Sequence, residues 1–209
     1  MTTERGVRLE SADGQILTAV TDINAALSKI GAGVWPLDLA GAPDDIRRLL
    51  GQPTLTDVET KRVLTQFLLS RERLLEIIGR TGRRPNVPGG GEMATFVSNE
   101  GYSYPQIWVM RPDADYARFD RLHVNTADDG TGVDEVLQIL WGGGVVIRLR
   151  FPDRSTRTLR LACPREGAGW LATYDGGQPH IGSLSDATPG TKVMVQAIGP
   201  ARWALRYVE

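Results

Sequence analysis

Along residues 57–78 apolar side chains return at close to the helical spacing: Val63, Phe67, Leu74 and Ile78, flanked by Leu64, Leu68 and Leu75, until Gly79 ends the pattern. Just ahead stands Thr56-Asp57-Val58-Glu59, a capping box in which hydroxyl and carboxylate each satisfy an orphan backbone amide. One long helix is expected here, with its apolar stripe buried on a neighbouring sheet or on a second copy of the chain. Two shorter helices precede it. Residues 22–30 follow Thr21 and stop at Gly31, and residues 43–50 carry Pro43 at the start and Gly51 past the end.

The texture changes after residues 80–92, RTGRRPNVPGGGE, where two prolines and a triple glycine suit neither a helix nor a central strand. Arg80, Arg83 and Arg84 fall in this linker and are expected to be solvated. Beyond it, short runs at 107–110, 136–140, 145–149, 158–163, 193–198 and 203–208 are separated by clusters of Gly, Pro, Asp and Asn. The stretch Val145-Val146-Ile147-Arg148-Leu149-Arg150 alternates in polarity. Many short strands without a long helix between them point to an antiparallel barrel or sandwich rather than a parallel sheet. The expected class is therefore α+β: a helical N-terminal segment and linker over residues 1–92, then an antiparallel β-barrel over residues 93–209.

Composition narrows the function without choosing one. Of 209 residues 41% are apolar and 23% charged, with a formal net charge of −1, so no global field or Lys/Arg stripe exists to hold a polyanion. Nucleic acid is not expected as a partner. The charged start and the absence of any run of 18 apolar residues argue against a secretory leader and a membrane span, and a soluble cytoplasmic protein is expected. Cys163 is the sole cysteine, which excludes an intrachain disulfide and any cluster of thiolate ligands. His123 and His180 are the two histidines, so imidazole chemistry must use one or both. The glycine triplets lack the lysine and following helix of a P-loop, and no G-x-S-x-G elbow occurs.

Two stretches carry a resemblance. In the first, His123-Val124-Asn125 is followed after a polar turn by Glu135 and, seven residues on, Gly142. In the second, Gly169, Asp175, Gly177, His180 and Leu184 stand at fixed intervals. Together they resemble the two motifs of the cupins, G-x5-H-x-H-x3,4-E-x6-G and G-x5-P-x-G-x2-H-x3-N. His123, Glu135, Gly142, Gly169, Gly177 and His180 match. Asn125 stands where the second histidine is expected, Ala117 replaces the leading glycine, Asp175 replaces the proline and Leu184 the asparagine. Nine residues rather than three or four separate Asn125 from Glu135, which implies a longer hairpin. The resemblance spans residues 117–184.

It implies a cupin-like jelly roll with a divalent metal held by His123, Asn125, Glu135 and His180. Residues two apart on a strand share a face, so His123 and Asn125 can look inward together, with Glu135 joining from the next strand. Two histidines and one carboxylate make the ligand set of non-haem Fe(II) sites, with Mn, Ni and Zn as other occupants. Tyr102, Arg121, Gln138 and Tyr174 are candidate catalytic residues, with Tyr104 and Trp141 beside them, because guanidinium and phenol groups orient carboxylates and rings. The resemblance implies a dioxygenase or lyase acting on a small organic acid or aromatic compound, in a homodimer. The missing second imidazole keeps open a different class, a metal-free or ligand-sensing module without catalysis.

Overall fold

Strand pairing begins much earlier than the polarity pattern suggests. The computed structural model describes residues 6–93, 104–114 and 121–208. The segment expected to be wholly helical contributes three strands, Val7–Glu10 (β1), Ile16–Leu17 (β2) and Gly33–Asp38 (β3). β3 contains Pro36, which cannot donate to a ladder, and it lies at the edge of its sheet, where that loss is tolerated. Four helices accompany them: Val20–Leu27 (α1), Asp44–Gly51 (α2), Asp57–Phe67 (α3) and Arg71–Gly79 (α4). The remaining strands are Gln106–Val109 (β4), His123–Thr126 (β5), Asp134–Trp141 (β6), Gly143–Arg150 (β7), Thr156–Ala162 (β8), Ala168–Asp175 (β9), His180–Ser183 (β10), Lys192–Ile198 (β11) and Ala204–Tyr207 (β12).

Among the described residues these strands make two antiparallel sheets. One has seven strands in the order β12-β5-β10-β7-β8-β1-β2, and the other has five in the order β3-β9-β6-β11-β4. Because side chains alternate along a strand, each sheet sends one set inward: Val145, Ile147, Leu149 and Leu159 from the larger meet Leu137, Ile139, Val193 and Val195 from the smaller in one core. The jelly-roll expectation is met as far as two facing antiparallel sheets. β1 and β3 insert into different sheets beside β8 and β9, so residues 7–38 share both sheets with the C-terminal part.

α2, α3 and α4 cover the outer face of the five-stranded sheet, while Ile23, Ala26 and Leu27 of α1 join the main core. Ile46 and Leu49 of α2 and Val63 of α3 pack on Leu140 and Met194, while Leu74, Ile77 and Ile78 of α4 pack on Val136, Leu171 and Ile198. Each such side chain, once fully buried, contributes about 1.5 to 3 kcal/mol. The smaller sheet is therefore apolar on both faces, which explains why β6 reads as a nearly continuous hydrophobic run. Lys192, fully buried at the start of β11, donates to the carbonyls of Leu50 and Gly190 at 2.9 and 3.0 Å and to that of Gln52, fastening the end of α2 to the sheet.

Three expectations need correction here. The single helix over 57–78 is two: α3 begins at the expected capping box, but the chain is extended at Leu68, and Ser70 caps α4 by accepting from the Arg73 amide. The backbone groups freed at this break are satisfied from the sheet. Gln138 donates to the Phe67 carbonyl at 2.8 Å, and Gln196 accepts from the Leu69 amide at 2.9 Å and donates to its carbonyl at 3.2 Å. Second, β5 and β6 are not hairpin neighbours, since residues 127–133 carry the chain from one sheet to the other. Third, Arg83 is not solvated: it pairs with the buried Asp134 and donates to the Gly31 carbonyl at 2.8 Å.

Gly142 makes the next crossing, from β6 to β7, in a single residue. Its φ of 79° and a Thr191 side chain that a Cβ would strike leave room for glycine alone. Among the described residues no helix is long and apolar enough to cross a membrane.

Candidate active site

The gap between the two sheets holds a cavity of about 490 Å³. At its polar end His123, Asn125 and His180 come from the larger sheet, and Glu135 and Tyr174 from the smaller. His123 and His180 are directly opposite each other in the β5–β10 ladder, so both imidazoles leave the same face, with ring centroids 4.5 Å apart. Asn125 lies two residues beyond His123 and follows it inward. Glu135 faces them from β6, and Tyr174, its ladder partner on β9, stands beside it.

Glu135 is the hub. One carboxylate oxygen accepts from the Asn125 amide at 2.6 Å and lies 3.4 Å from His180 Nε2; the other accepts from the Tyr174 hydroxyl at 3.1 Å. Burial acts to raise the Glu135 carboxyl, but the His180 ring against it and the hydrogen bonds from His180 and Asn125 outweigh that and hold it below the usual carboxylate range. Tyr174 has the opposite outcome. Burial first, then the neighbouring carboxylate, pushes its phenol well above its ordinary value, so it keeps its proton.

The two histidines share a tautomer fixed by the backbone. His123 Nδ1 lies 3.1 Å from the Arg121 carbonyl, and His180 Nδ1 lies 2.7 Å from that of Gln178. A carbonyl can only accept, so Nδ1 carries a proton in each ring and Nε2 is the nitrogen turned to the cavity. Orientation of an imidazole by a carbonyl at its other nitrogen is the arrangement that supports metal-ligating histidines. His180 Nε2 and a Glu135 oxygen face each other, and the Asn125 side-chain amide, which donates to that oxygen at 2.6 Å, stands 3.5 Å from the same ring nitrogen. Two ligands about 2.1 Å from one ion, at right angles, stand about 3 Å apart, close to the separation found here. Asn125 Oδ1 is buried without a hydrogen-bond partner in the same place. Among the described residues no group of three or more His, Cys, Asp and Glu side chains is spaced to hold a metal ion as it stands.

Burial, then the adjacent His180, pushes His123 down to about 4. In the unfolded chain the ring protonates near pH 6.5, while in the folded chain it stays neutral until about 4. Stability contributed by the neutral ring is thus present above pH 6.5 and lost as the pH falls from there through 4, and the depressed Glu135 adds a loss of the same sign. Chelator-treated protein is expected to lose on the order of 2 kcal/mol over that interval, of which a His123→Phe variant loses less, by urea denaturation across pH 7 to 4.

The other sequence candidates are placed as follows. Tyr174 lines the cavity and touches Glu135, and Tyr104 also lines it. Gln138 does not belong: three positions from Glu135, it points to the opposite face of β6 and serves the α3–α4 break. Arg121 is exposed, with its guanidinium 4.4 Å from the Tyr207 ring, and contributes its carbonyl rather than its charge. Trp141 packs with the helices. Tyr102 and Ala117 lie outside the described residues. Unanticipated are Trp108 and Trp203, which line the cavity. Trp108 opposes Val193 in the β4–β11 ladder and so faces inward, and Gly182 makes room for it, since a Cβ there would stand 3.2 Å from the indole. Residues 107–110 are all apolar, so the sequence there held no alternation that would pick out Trp108.

Cys163 takes no part. Burial pushes its thiol up to about 12, and its sulfur lies 3.6 Å from the Ile139 carbonyl.

No protein-family model and no curated protein matches the sequence. Among solved structures, the fold is similar to that of "Acireductone dioxygenase from Bacillus anthracis with cadmium ion in active center", at a TM-score of 0.61 and 14% identity over 95% of both chains. The likeness is one of fold and extends to the N-terminal helices and strands as well as the two sheets.

Proposed function

We propose that the protein is a metal-dependent enzyme of the cupin type, a dioxygenase acting on a small organic molecule in the cavity between the sheets. One observation carries this reading: His180 Nε2 and a Glu135 oxygen face each other at 3.4 Å inside the cavity, with the second imidazole 4.5 Å from the first, centroid to centroid. His123, Glu135 and His180 would hold the ion, and Asn125, whose amide nitrogen faces Glu135 and His180, would give its unpartnered Oδ1 as a fourth donor once the amide is turned over. Fe(II) is the first choice, Mn, Ni and Zn being compatible; such an ion supplies Lewis acidity and open positions for substrate and dioxygen. The fold neighbour, itself a dioxygenase with cadmium in its active centre, supports the choice of reaction class.

The chain's own residues divide the remaining work. Arg121 and Gln178 fix the ring tautomers through their carbonyls, Tyr174 holds the Glu135 carboxylate by donating to it, and the apolar walls exclude water. Tyr174 also bears on the lyase alternative. A phenol driven well above its ordinary pKa and already donating to a carboxylate is a poor base, so proton abstraction by Tyr174 is disfavoured.

A second reading, a metal-free ligand-binding module, is favoured by the Asn125 amide that already occupies the Glu135 oxygen nearest His180. Metal analysis on protein purified without chelator separates the two. The enzyme reading expects about one divalent ion per chain, reduced at least 100-fold in affinity in His123→Ala and His180→Ala variants that keep a cooperative thermal transition. Equal trace metal in wild type and variants would leave the metal-free module standing.

A further inference from the structure

Glycine inside a strand weakens it, and it is kept where another group approaches closely. Gly182 follows His180 by two positions on β10, so it faces the same way, and it lines the cavity. Its backbone does not require glycine, because its φ lies outside the left-handed region. The space in front of it does. A Cβ there would stand 3.2 and 3.4 Å from two rim atoms of the Trp108 indole and 3.9 Å from the Tyr174 hydroxyl oxygen.

Trp108 belongs to the opposite sheet, so its indole spans the gap to reach β10. The hydroxyl beside the meeting point is the one that donates to Glu135 at 3.1 Å. Neither Trp108 nor Gly182 is fully buried, and both line the cavity, so their contact shapes its wall and not only the core behind it. The pair stands where the apolar lining, which includes Tyr104, Leu184 and Leu205, gives way to the polar end.

We propose that Trp108 and Gly182 determine specificity by size: together they limit the breadth of the apolar group that a substrate brings beside Glu135 and His180. The class admitted is a small molecule bearing one ring-sized apolar group, since a single methylene too many or too few in a close-fitting apolar site changes discrimination by roughly 10- to 200-fold. This rests on the proposed function only in taking the same cavity as the place where substrate sits; the ion has no part in it.

The two residues give predictions of opposite sign. Calorimetric titration of chelator-treated protein with 4-methylphenol and 4-tert-butylphenol tests them, the quantity read being the ratio of the two affinities. Gly182→Ala puts a methyl group, or the indole it displaces, into the cavity, and the ratio should move about tenfold toward 4-methylphenol. The Trp108→Phe side chain is too short to carry the two rim atoms that face Gly182, and the ratio should move about tenfold toward 4-tert-butylphenol. A cooperative thermal transition reports that each variant is folded. An unmoved ratio in either folded variant, shifts of the same sign, or no saturable binding of either phenol by the wild type each overturns the inference. So does a Gly182→Ala protein that does not fold, because the glycine would then serve packing alone. Since no ion is present in these titrations, their outcome is independent of the metal analysis, and either reading can fail alone.

Discussion

Replacing Glu135 with glutamine is expected to weaken binding of a divalent ion at least 100-fold while leaving the fold in place. The carboxylate supplies the one formal negative charge among the side chains at the polar end of the cavity, and its two oxygens serve different partners, Asn125 and His180 on one side and Tyr174 on the other. Glutamine fills the same volume but offers one acceptor, so either the Asn125 amide or the Tyr174 hydroxyl loses its partner, at about 1 to 3 kcal/mol. Against that, a buried charge is removed, and the cost of keeping it out of water disappears with it. The two changes oppose each other in stability and add in metal affinity. Without metal, the melting temperature should shift by a few degrees at most, since 1 kcal/mol corresponds to about 2 to 4 °C in a chain of this size. A Glu135→Ala variant lacks the compensating volume and should melt lower still. If Glu135→Gln retains the wild-type ion content, the carboxylate is not a ligand and the metal centre must be abandoned.

Which parts of this arrangement could be read from the sequence depended on how local their causes are. The strands at 136–140, 145–149 and 193–198 were legible because alternation or a doubly buried apolar run is written in adjacent residues. The edge strand β3 was not, because Pro36 counts against a strand until the edge position is known. Nor was the break between α3 and α4, where the apolar period runs straight through residues 68–70; the amides that stabilise the break belong to Gln138 and Gln196, far along the chain. The same distance explains Gln138 as a candidate. Its residue type suited a binding site, but its odd offset from Glu135 put it on the other face of β6. His123, Glu135 and His180 were found by spacing, and the structure brings them to one cavity although Glu135 comes from the opposite sheet rather than the expected hairpin. Trp203 was invisible because its place depends on where β12 pairs beside β5.

The second large effect lies one residue from Glu135, at Asp134, where a Asp134→Ala variant is expected to lose about 3 to 5 kcal/mol of stability and on the order of 10 °C in melting temperature. Its side chain is fully buried, paired with Arg83, and accepts from the Asn86 backbone amide at 2.8 Å and from the Asn86 side chain at 3.2 Å. Asn86 in turn donates to Asp175 at 2.6 Å, so residues 83–86 are tied to the start of β6 and the end of β9 together. Burial, ahead of the opposing Arg83 charge, raises the Asp134 carboxyl above its ordinary range. Holding that charge already costs free energy, and the guanidinium offsets only part of it. Arg83→Ala should therefore destabilise to a similar degree, by leaving the carboxylate buried without its counter-ion. The double variant removes both charges, so its loss should fall short of the sum of the single losses by about 1 to 3 kcal/mol. Urea denaturation of the four proteins measures the cycle, and simple additivity would mean that the pair is too well solvated to couple. Because Asp134 precedes Glu135 on the same strand, the single variants should also loosen the polar end of the cavity, read as a lower ion affinity in protein that is still folded at 25 °C.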